Sequence, residues 1–188
     1  KAIRASFGTV FMDKRLLGDQ ILAMTGLEFG EFAKEYPYLF GLAKKMVSLA
    51  KSELLGFDGE TLLEQKSHKW AELIQKMAEH HAIEFEREAY FSLLVQWIPD
   101  ILHKSINLMA KVGKYTMDDM IWMPVVMKLN VPKSDILIID EYQDLNRAQQ
   151  ELMLKAGRRI VVVGDPNQAI YGFAGADTDS VPRMKKFL

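Results

Sequence analysis

The feature that most constrains this chain is an uninterrupted run of branched apolar residues at 136–139, followed at once by Asp140 and Glu141. An apolar run without alternation predicts a strand covered on both faces, as in a parallel sheet. In open α/β sheets, ligands bind beyond the carboxyl ends of such strands. The two acids are therefore predicted to lie at the mouth of a binding site. For an acidic pair alone, a loop that caps a helix is the alternative.

A second β-branched run at 159–163 ends in the polar loop 164–176. Between the two runs, residues 146–156 have a composition typical of a helix, with Asn146 as its cap and Gly157 as its stop. Strand, helix and strand in this order predict a right-handed crossover within a parallel sheet. Both polar loops should then open on the same edge of the sheet.

Two segments carry a resemblance to a known family: 138–144 (Ile-Ile-Asp-Glu-Tyr-Gln-Asp) and 162–176 (Val-Val-Gly-Asp-Pro-Asn-Gln-Ala-Ile-Tyr-Gly-Phe-Ala-Gly-Ala). They resemble helicase motifs II and III of the superfamily-one UvrD/Rep/PcrA type, and they stand at the family's separation. The close resemblance covers residues 116–179, about a third of the chain. It implies an α/β fold: a partial P-loop NTPase (RecA-like) parallel sheet preceded by a mainly α-helical subdomain.

The resemblance also assigns roles to single residues. Asp140 would bind Mg²⁺, and Glu141 would orient the water that attacks ATP, which is chemistry that two adjacent carboxylates can perform. Gln168 would sense the γ-phosphate, because an amide donates a hydrogen bond without adding charge. Tyr171 and Phe173 would stack on single-stranded DNA, with core packing near the sheet edge as the alternative for both rings.

Three further residues, Gln143, Asp144 and Asp165, complete the matched motifs as supporting residues. For Asp144 and Asp165, a role in organising the loops is as well supported as direct contact with a ligand. Ala174 is a departure, because many family members have Arg there, so a contact from that guanidinium should be absent. The small-residue stretch around it resembles phage and related bacterial variants.

Composition sets limits on these expectations. With 188 residues, 49% of them hydrophobic, the chain can bury roughly two-thirds of its unfolded surface. Its 24 Lys and Arg against 25 Asp and Glu leave a net charge of −1, so any DNA contact must be local. The absence of cysteine excludes disulfides and thiolate zinc sites and fits an intracellular protein. The resemblance implies the cytoplasm of a bacterial or phage-infected cell, and no run approaches the ~18 apolar residues of a membrane span.

The first two-thirds of the chain predict helices. Residues 38–55 have the spacing of an amphipathic helix, whose Lys44, Lys45 and Lys51 are interpreted as a solvated face. His80 and His81 could suggest a metal, but adjacent helix positions point about 100° apart and no third ligand is apparent. They are interpreted as ordinary surface histidines.

Several helix boundaries are predicted from local signals. Thr61 and Glu64 have the spacing of a capping box for the helix that follows them. Pro99 is predicted to break a helix, so that residues 100–111 form another one. Thr116 is predicted to cap a short helix that ends at Pro124.

Together these patterns divide the chain into a mainly helical part at 1–134 and a parallel α/β part at 135–188. The resemblance implies that the first is a helical insertion subdomain and that the second is a partial RecA-like ATPase core carrying motifs II and III. The resemblance implies a fragment of an ATP-dependent DNA helicase that couples Mg-ATP hydrolysis to movement on single-stranded DNA. The P-loop and arginine-finger motifs are absent, so the chain alone is expected to be inactive. One alternative is a non-catalytic, ATPase-derived module that binds DNA or protein. Another is a metal-dependent nuclease built on Asp140, Glu141 and Asp165, which leaves the Gln168, Tyr171 and Phe173 arrangement unexplained.

Overall fold

The computed structural model describes residues 2–165, and most of them are helical. The helices are α1 (Ala2–Phe7), α2 (Leu16–Thr25), α3 (Phe29–Glu35), α4 (Leu39–Ser52), α5 (Lys69–His80), α6 (Glu88–Val112), α7 (Asp119–Val126) and α8 (Arg147–Ala156), with a 3-10 turn at Tyr142–Asp144. The strands are β1 (Phe11–Met12), β2 (Lys114–Tyr115), β3 (Ser134–Ile139) and β4 (Gly157–Val162). β1 pairs with β2 and β3 pairs with β4, both in parallel. Within this part of the chain, no helix is long and apolar enough to cross a membrane.

The unit β3–α8–β4 confirms the predicted strand, helix and parallel strand. The register runs from Ser134 opposite Gly157 to Ile139 opposite Val162. Asn146 caps α8 as predicted, because its side chain accepts from the backbone N–H of Gln149, and the Gln149 side chain accepts from the N–H of Asn146. Both bonds of this capping box measure 2.9 Å. Because β3 and β4 are parallel, the polar loops that follow them leave the sheet at the same edge.

The prediction that β3 is covered on both faces is wrong for the described residues. One face packs beneath α8, where Ile139 is 5% exposed. The other face is open, and Ile138 remains 69% exposed. Ile136 and Val161 on these strands are also exposed, as is Val163 just after β4. The apolar run does not alternate with polar residues, yet its side chains alternate between exposed and more buried positions. The reason is that α8 packs on only one side of the sheet.

The main hydrophobic core lies among the helices. α4 is central and contacts α2, α5, α6, α7 and α8. The largest side chains at the centre, among them Trp70, Tyr90 and Trp122, are fully buried. Ala148 of α8 belongs to the same core, so the helical part and the β3–α8–β4 unit pack directly against each other.

Prolines did not end helices where the sequence predicted that they would. Pro99 lies inside the continuous helix α6, and Pro124 lies inside α7, which ends at Val126. Pro99, Ile98 and Ile101 are buried in the core, and this packing outweighs the hydrogen bond that a proline cannot donate. The predicted cap by Thr116 is wrong, because α7 begins at Asp119 with Asp118 as its N-cap residue. The Thr116 hydroxyl instead lies two residues before that cap and accepts from the N–H of Asp119 at 3.4 Å.

The predicted capping box at Thr61 is wrong, because α5 begins at Lys69. Residues 56–64 instead form a turn in which the Asp58 carboxylate accepts from the backbone N–H groups of Thr61 and Glu60 at 2.7 and 2.8 Å. These two bonds hold the pKa of the Asp58 carboxyl below its ordinary value. The turn carries the chain back to the core, where Trp70 is 1% exposed.

Lys51 contradicts the prediction of a solvated lysine face, although the other two lysines of α4 are exposed. It is 1% exposed, and its Nζ lies 2.8 Å from Oδ1 of the fully buried Asp119. Thr116 donates to the other carboxylate oxygen from its N–H and its hydroxyl, each at 2.8 Å. Lys51 also donates to Ser105 Oγ at 3.3 Å and lies 5.5 Å from the centre of the Trp122 ring. A buried ion pair thus joins α4 to the start of α7.

Candidate functional site

The end of β3 places Asp140 and Glu141 at the surface, as the sequence predicted. Glu141 adopts a left-handed backbone conformation with φ 49° and ψ 44°. This conformation costs a residue with a side chain about 1–2 kcal/mol, so surrounding contacts must hold it. Two bonds do so: the Glu141 N–H donates to Asp140 Oδ1 at 3.0 Å, and its carbonyl accepts from the Asp144 N–H at 2.9 Å.

Gln143 joins this acidic loop to the loop that follows β4. Its side chain is 2% exposed, and its Nε2 donates to the Glu141 carboxylate at 2.6 Å. Its Oε1 accepts from the backbone N–H of Asp165 at 3.1 Å. A single amide therefore fixes the Glu141 carboxylate relative to the second loop. Gln143 was predicted only as a supporting residue, and the structure identifies the contacts by which it supports the site.

Backbone contacts between the two loops reinforce this link. Tyr142 donates from its N–H to the carbonyl of Val163 at 3.1 Å, and Val163 donates to the carbonyl of Ile139 at 2.8 Å. Gly164 packs so closely that a Cβ there would lie 2.4 Å from Gln143 Oε1. The absence of a side chain at this position is what allows the Gln143 amide to reach the second loop.

Asp144 combines a loop-organising contact with an unsatisfied oxygen. Its N–H donates to Glu141, whereas its Oδ1 is buried and has no hydrogen-bond partner in the described structure. A buried carboxylate oxygen without a donor is unfavourable. Asp165 is half-buried, and its N–H is the group that Gln143 holds.

The resemblance implies that the acids of these loops bind Mg²⁺. Among residues 2–165, Asp140, Glu141 and Asp165 do not bring three carboxylate oxygens within 4.8 Å of one another. A nuclease centre built on these three acids therefore loses its geometric support. A single exposed aspartate still suits Mg²⁺, because this ion commonly takes one or two carboxylates and completes its shell with water and substrate phosphates. Asp140 thus fits the implied ion.

The other predicted site residues, Gln168, Tyr171 and Phe173, lie outside the described residues. Their roles stay predictions.

Sequence reasoning missed two groups of polar residues, Lys51 with Asp119 and Glu53 with His81. For the first, a signal was present: Lys51 is one turn from the buried Val47, and Thr116 and Asp119 have capping-box spacing. For the second pair, Glu53 and His81 are 28 residues apart in the sequence and touch only because of the fold.

A parallel strand–helix–strand unit with acids gathered at one sheet edge defines a mixed α/β protein with a candidate site at that edge. The UvrD/REP helicase N-terminal domain family matches residues 42–188, so the chain belongs to this family. The predicted resemblance is confirmed.

Individual relatives carry helicase names. The chain is 33% identical over 91 residues to the ATP-dependent DNA helicase Rep of Buchnera aphidicola, and 32% identical over 90 residues to the ATP-dependent DNA helicase PcrA of Staphylococcus aureus. It is 38% identical over 66 residues to the DNA helicase II of Rickettsia typhi. These matches cover 43%, 46% and 34% of this chain, but only 14%, 11% and 10% of the relatives.

Proposed function

We propose that the chain is part of an ATP-dependent DNA helicase that couples Mg-ATP hydrolysis to movement on single-stranded DNA. The observation that carries this proposal is the connection of two loops at one sheet edge, where Gln143 holds both Glu141 and the N–H of Asp165. Family membership and the names of the relatives support it. Residues 1–134 would form the helical insertion, and residues 135–188 would form part of a RecA-like ATPase core.

Glu141 would act on the water that attacks the γ-phosphate. Its carboxylate is exposed, and the Gln143 amide fixes one of its oxygens, so the other can accept a proton or a hydrogen bond from water. Asp140 would supply the protein ligand to Mg²⁺, which when bound neutralises charge on the phosphates. Both acids lie at the end of β3, where hydrogen bonds from the Glu141 N–H and to its carbonyl hold the left-handed backbone of Glu141.

Coupling to DNA would depend on the segment after Asp165. Gln168 would sense the γ-phosphate, and Tyr171 and Phe173 would stack on bases. The Asp165 N–H is bonded to the same amide that orients Glu141, so the catalytic loop and the start of this segment are mechanically connected. A change of nucleotide state could in this way reach the aromatic residues.

The proposal is tested with Glu141→Gln in the full-length protein. This variant should keep nucleotide binding, because Asp140 is unchanged, but its ATP hydrolysis should fall by about 10²–10⁴-fold, the usual contribution of a general base. Turnover and the affinity for a non-hydrolysable ATP analogue are measured with and without single-stranded DNA. Glu86→Gln, at an exposed glutamate in the helical part, is the matched control and should leave both unchanged.

Normal hydrolysis in Glu141→Gln would remove Glu141 from the mechanism. A full-length protein without any DNA-stimulated ATPase would instead favour a non-catalytic binding module. The 188-residue chain by itself is expected to hydrolyse ATP negligibly, because its sequence lacks the P-loop lysine and the arginine fingers that stabilise charge on the transferred phosphate.

A further inference from the structure

Two helices, α4 and α5, end at the same place, and three side chains with metal-binding atoms meet there. Glu53 follows α4, His80 is the last residue of α5, and His81 follows it. One ligand atom from each of the three lies within 4.8 Å of the other two. His81 Nε2 contacts Glu53 Oε1, and the two imidazole rings have their centres 4.9 Å apart.

The arrangement overcomes both objections that the sequence raised. Adjacent histidines diverge on a helix, but here the two rings lie at the end of α5 and their centres are 4.9 Å apart, so both can reach one site. The missing third ligand is Glu53, which the fold brings from the end of α4. The interpretation of both histidines as surface residues is wrong for His81, whose side chain is only 4% exposed, whereas His80 is exposed.

The surroundings favour a positive ion. Helix C-termini carry partial negative charge from unpaired carbonyl groups, and two of them converge on this cluster. Arg147 donates to the backbone carbonyl of Glu53 at 3.3 Å, which fixes that residue in place, although the positive charge of this guanidinium opposes a cation nearby. An ion could enter from solvent past His80, or through the open cavity of about 460 Å³ that Glu53 lines.

We propose that Glu53, His80 and His81 form a binding site for a divalent transition-metal ion, with Zn²⁺ as the preferred occupant. Two imidazoles and one carboxylate are an established donor set for zinc, whereas Mg²⁺ and Ca²⁺ prefer oxygen ligands throughout. Bonds of about 2.0–2.2 Å place tetrahedral ligand atoms about 3.3–3.6 Å apart, so small side-chain rotations would bring the three ligand atoms to that spacing. Three protein ligands leave a fourth position for water. The site is separate from Asp140 and independent of the proposed ATPase activity.

The test uses the untagged 188-residue chain, stripped of metal with a chelator and then titrated with ZnCl₂ in a calorimeter. One equivalent should bind, and Zn²⁺ at about a hundredfold excess over its Kd should raise the Tm by roughly 5–10 °C. MgCl₂ at the same concentration should leave the Tm unchanged. Binding of less than one equivalent, or an equal shift with Mg²⁺, would overturn the site.

Single variants identify the ligands. His80→Ala removes an exposed side chain and should lower Zn²⁺ affinity by at least about tenfold. Even the loss of a residue that only hydrogen-bonds to a metal ligand lowers metal affinity by about that factor. Glu53→Gln should do the same. His68→Ala, at another exposed histidine just before α5, is the matched control and should bind like the unmodified chain. Equal affinity in His80→Ala and His68→Ala would refute the assignment. Circular dichroism and the metal-free Tm of His80→Ala show that its fold is intact, so this variant decides the case if Glu53→Gln is unstable.

Discussion

The buried ion pair between Lys51 and Asp119 makes a sharp prediction for stability. Lys51→Met keeps the length and most of the volume of the side chain, so it removes charge without opening a large cavity. Asp119 would keep its two bonds from Thr116, but its Oδ1 would lose the ammonium group at 2.8 Å in a fully buried position. Removing one partner of a buried pair costs about 3–5 kcal/mol. For a domain of this size, that corresponds to a fall in Tm of roughly 6–20 °C.

Urea unfolding followed by circular dichroism measures the change in the free energy of unfolding. Lys45→Met, on the exposed side of the same helix, is the control and should change the free energy by less than about 0.5 kcal/mol. Combining Lys51→Met with Asp119→Asn removes the uncompensated charge and should recover part of the loss. A loss below about 1 kcal/mol in Lys51→Met alone would show that solvent or another cation reaches Asp119, which would refute the reasoning.

Variants at three further positions test other contacts. Gly164→Ala should destabilise the chain by about 1–3 kcal/mol in urea unfolding, because its Cβ would press on Gln143 Oε1, and unchanged stability would mean that the amide moves freely. Asn146→Ala should cost about 1 kcal/mol by the same assay while Asn146→Ser should not, and equal losses would argue against the cap. Phe173→Ala in the full-length protein should weaken binding of labelled oligothymidine by about 1–3 kcal/mol, whereas unchanged affinity would indicate a ring packed in the core.

Structural elements that depend on residues close together in the sequence could be predicted. The capping pair Asn146 and Gln149, the apolar runs on either side and the short spacing between them were enough to predict β3–α8–β4. These signals act within a few residues and do not need the rest of the fold. The acids at the end of β3 followed from the same reasoning, since a strand must deliver its last residues to a sheet edge.

Where structure depends on distant packing, local signals failed. Pro99 would end an isolated helix, but burial of its neighbours keeps α6 continuous. Lys51 would be solvated on an isolated helix, but Asp119 arrives from a segment 68 residues away. Within the candidate site, the left-handed backbone of Glu141 and the two bonds of the Gln143 side chain depend on the second loop, so no spacing in the sequence reveals them.

On the open face of the β3–β4 ladder, Ile138 and Val161 stand side by side in register. Among the described residues, this sheet has two strands, so each strand has one edge without a neighbouring strand. The apolar surface therefore lies next to backbone N–H and C=O groups that can pair with another strand. Such an edge is a template onto which a strand of another molecule can add. The segment that presents the acids therefore also gives the chain a tendency to associate with other molecules. The chain is best handled dilute, and high sulfate or phosphate, which strengthens apolar association, is a poor choice of solution.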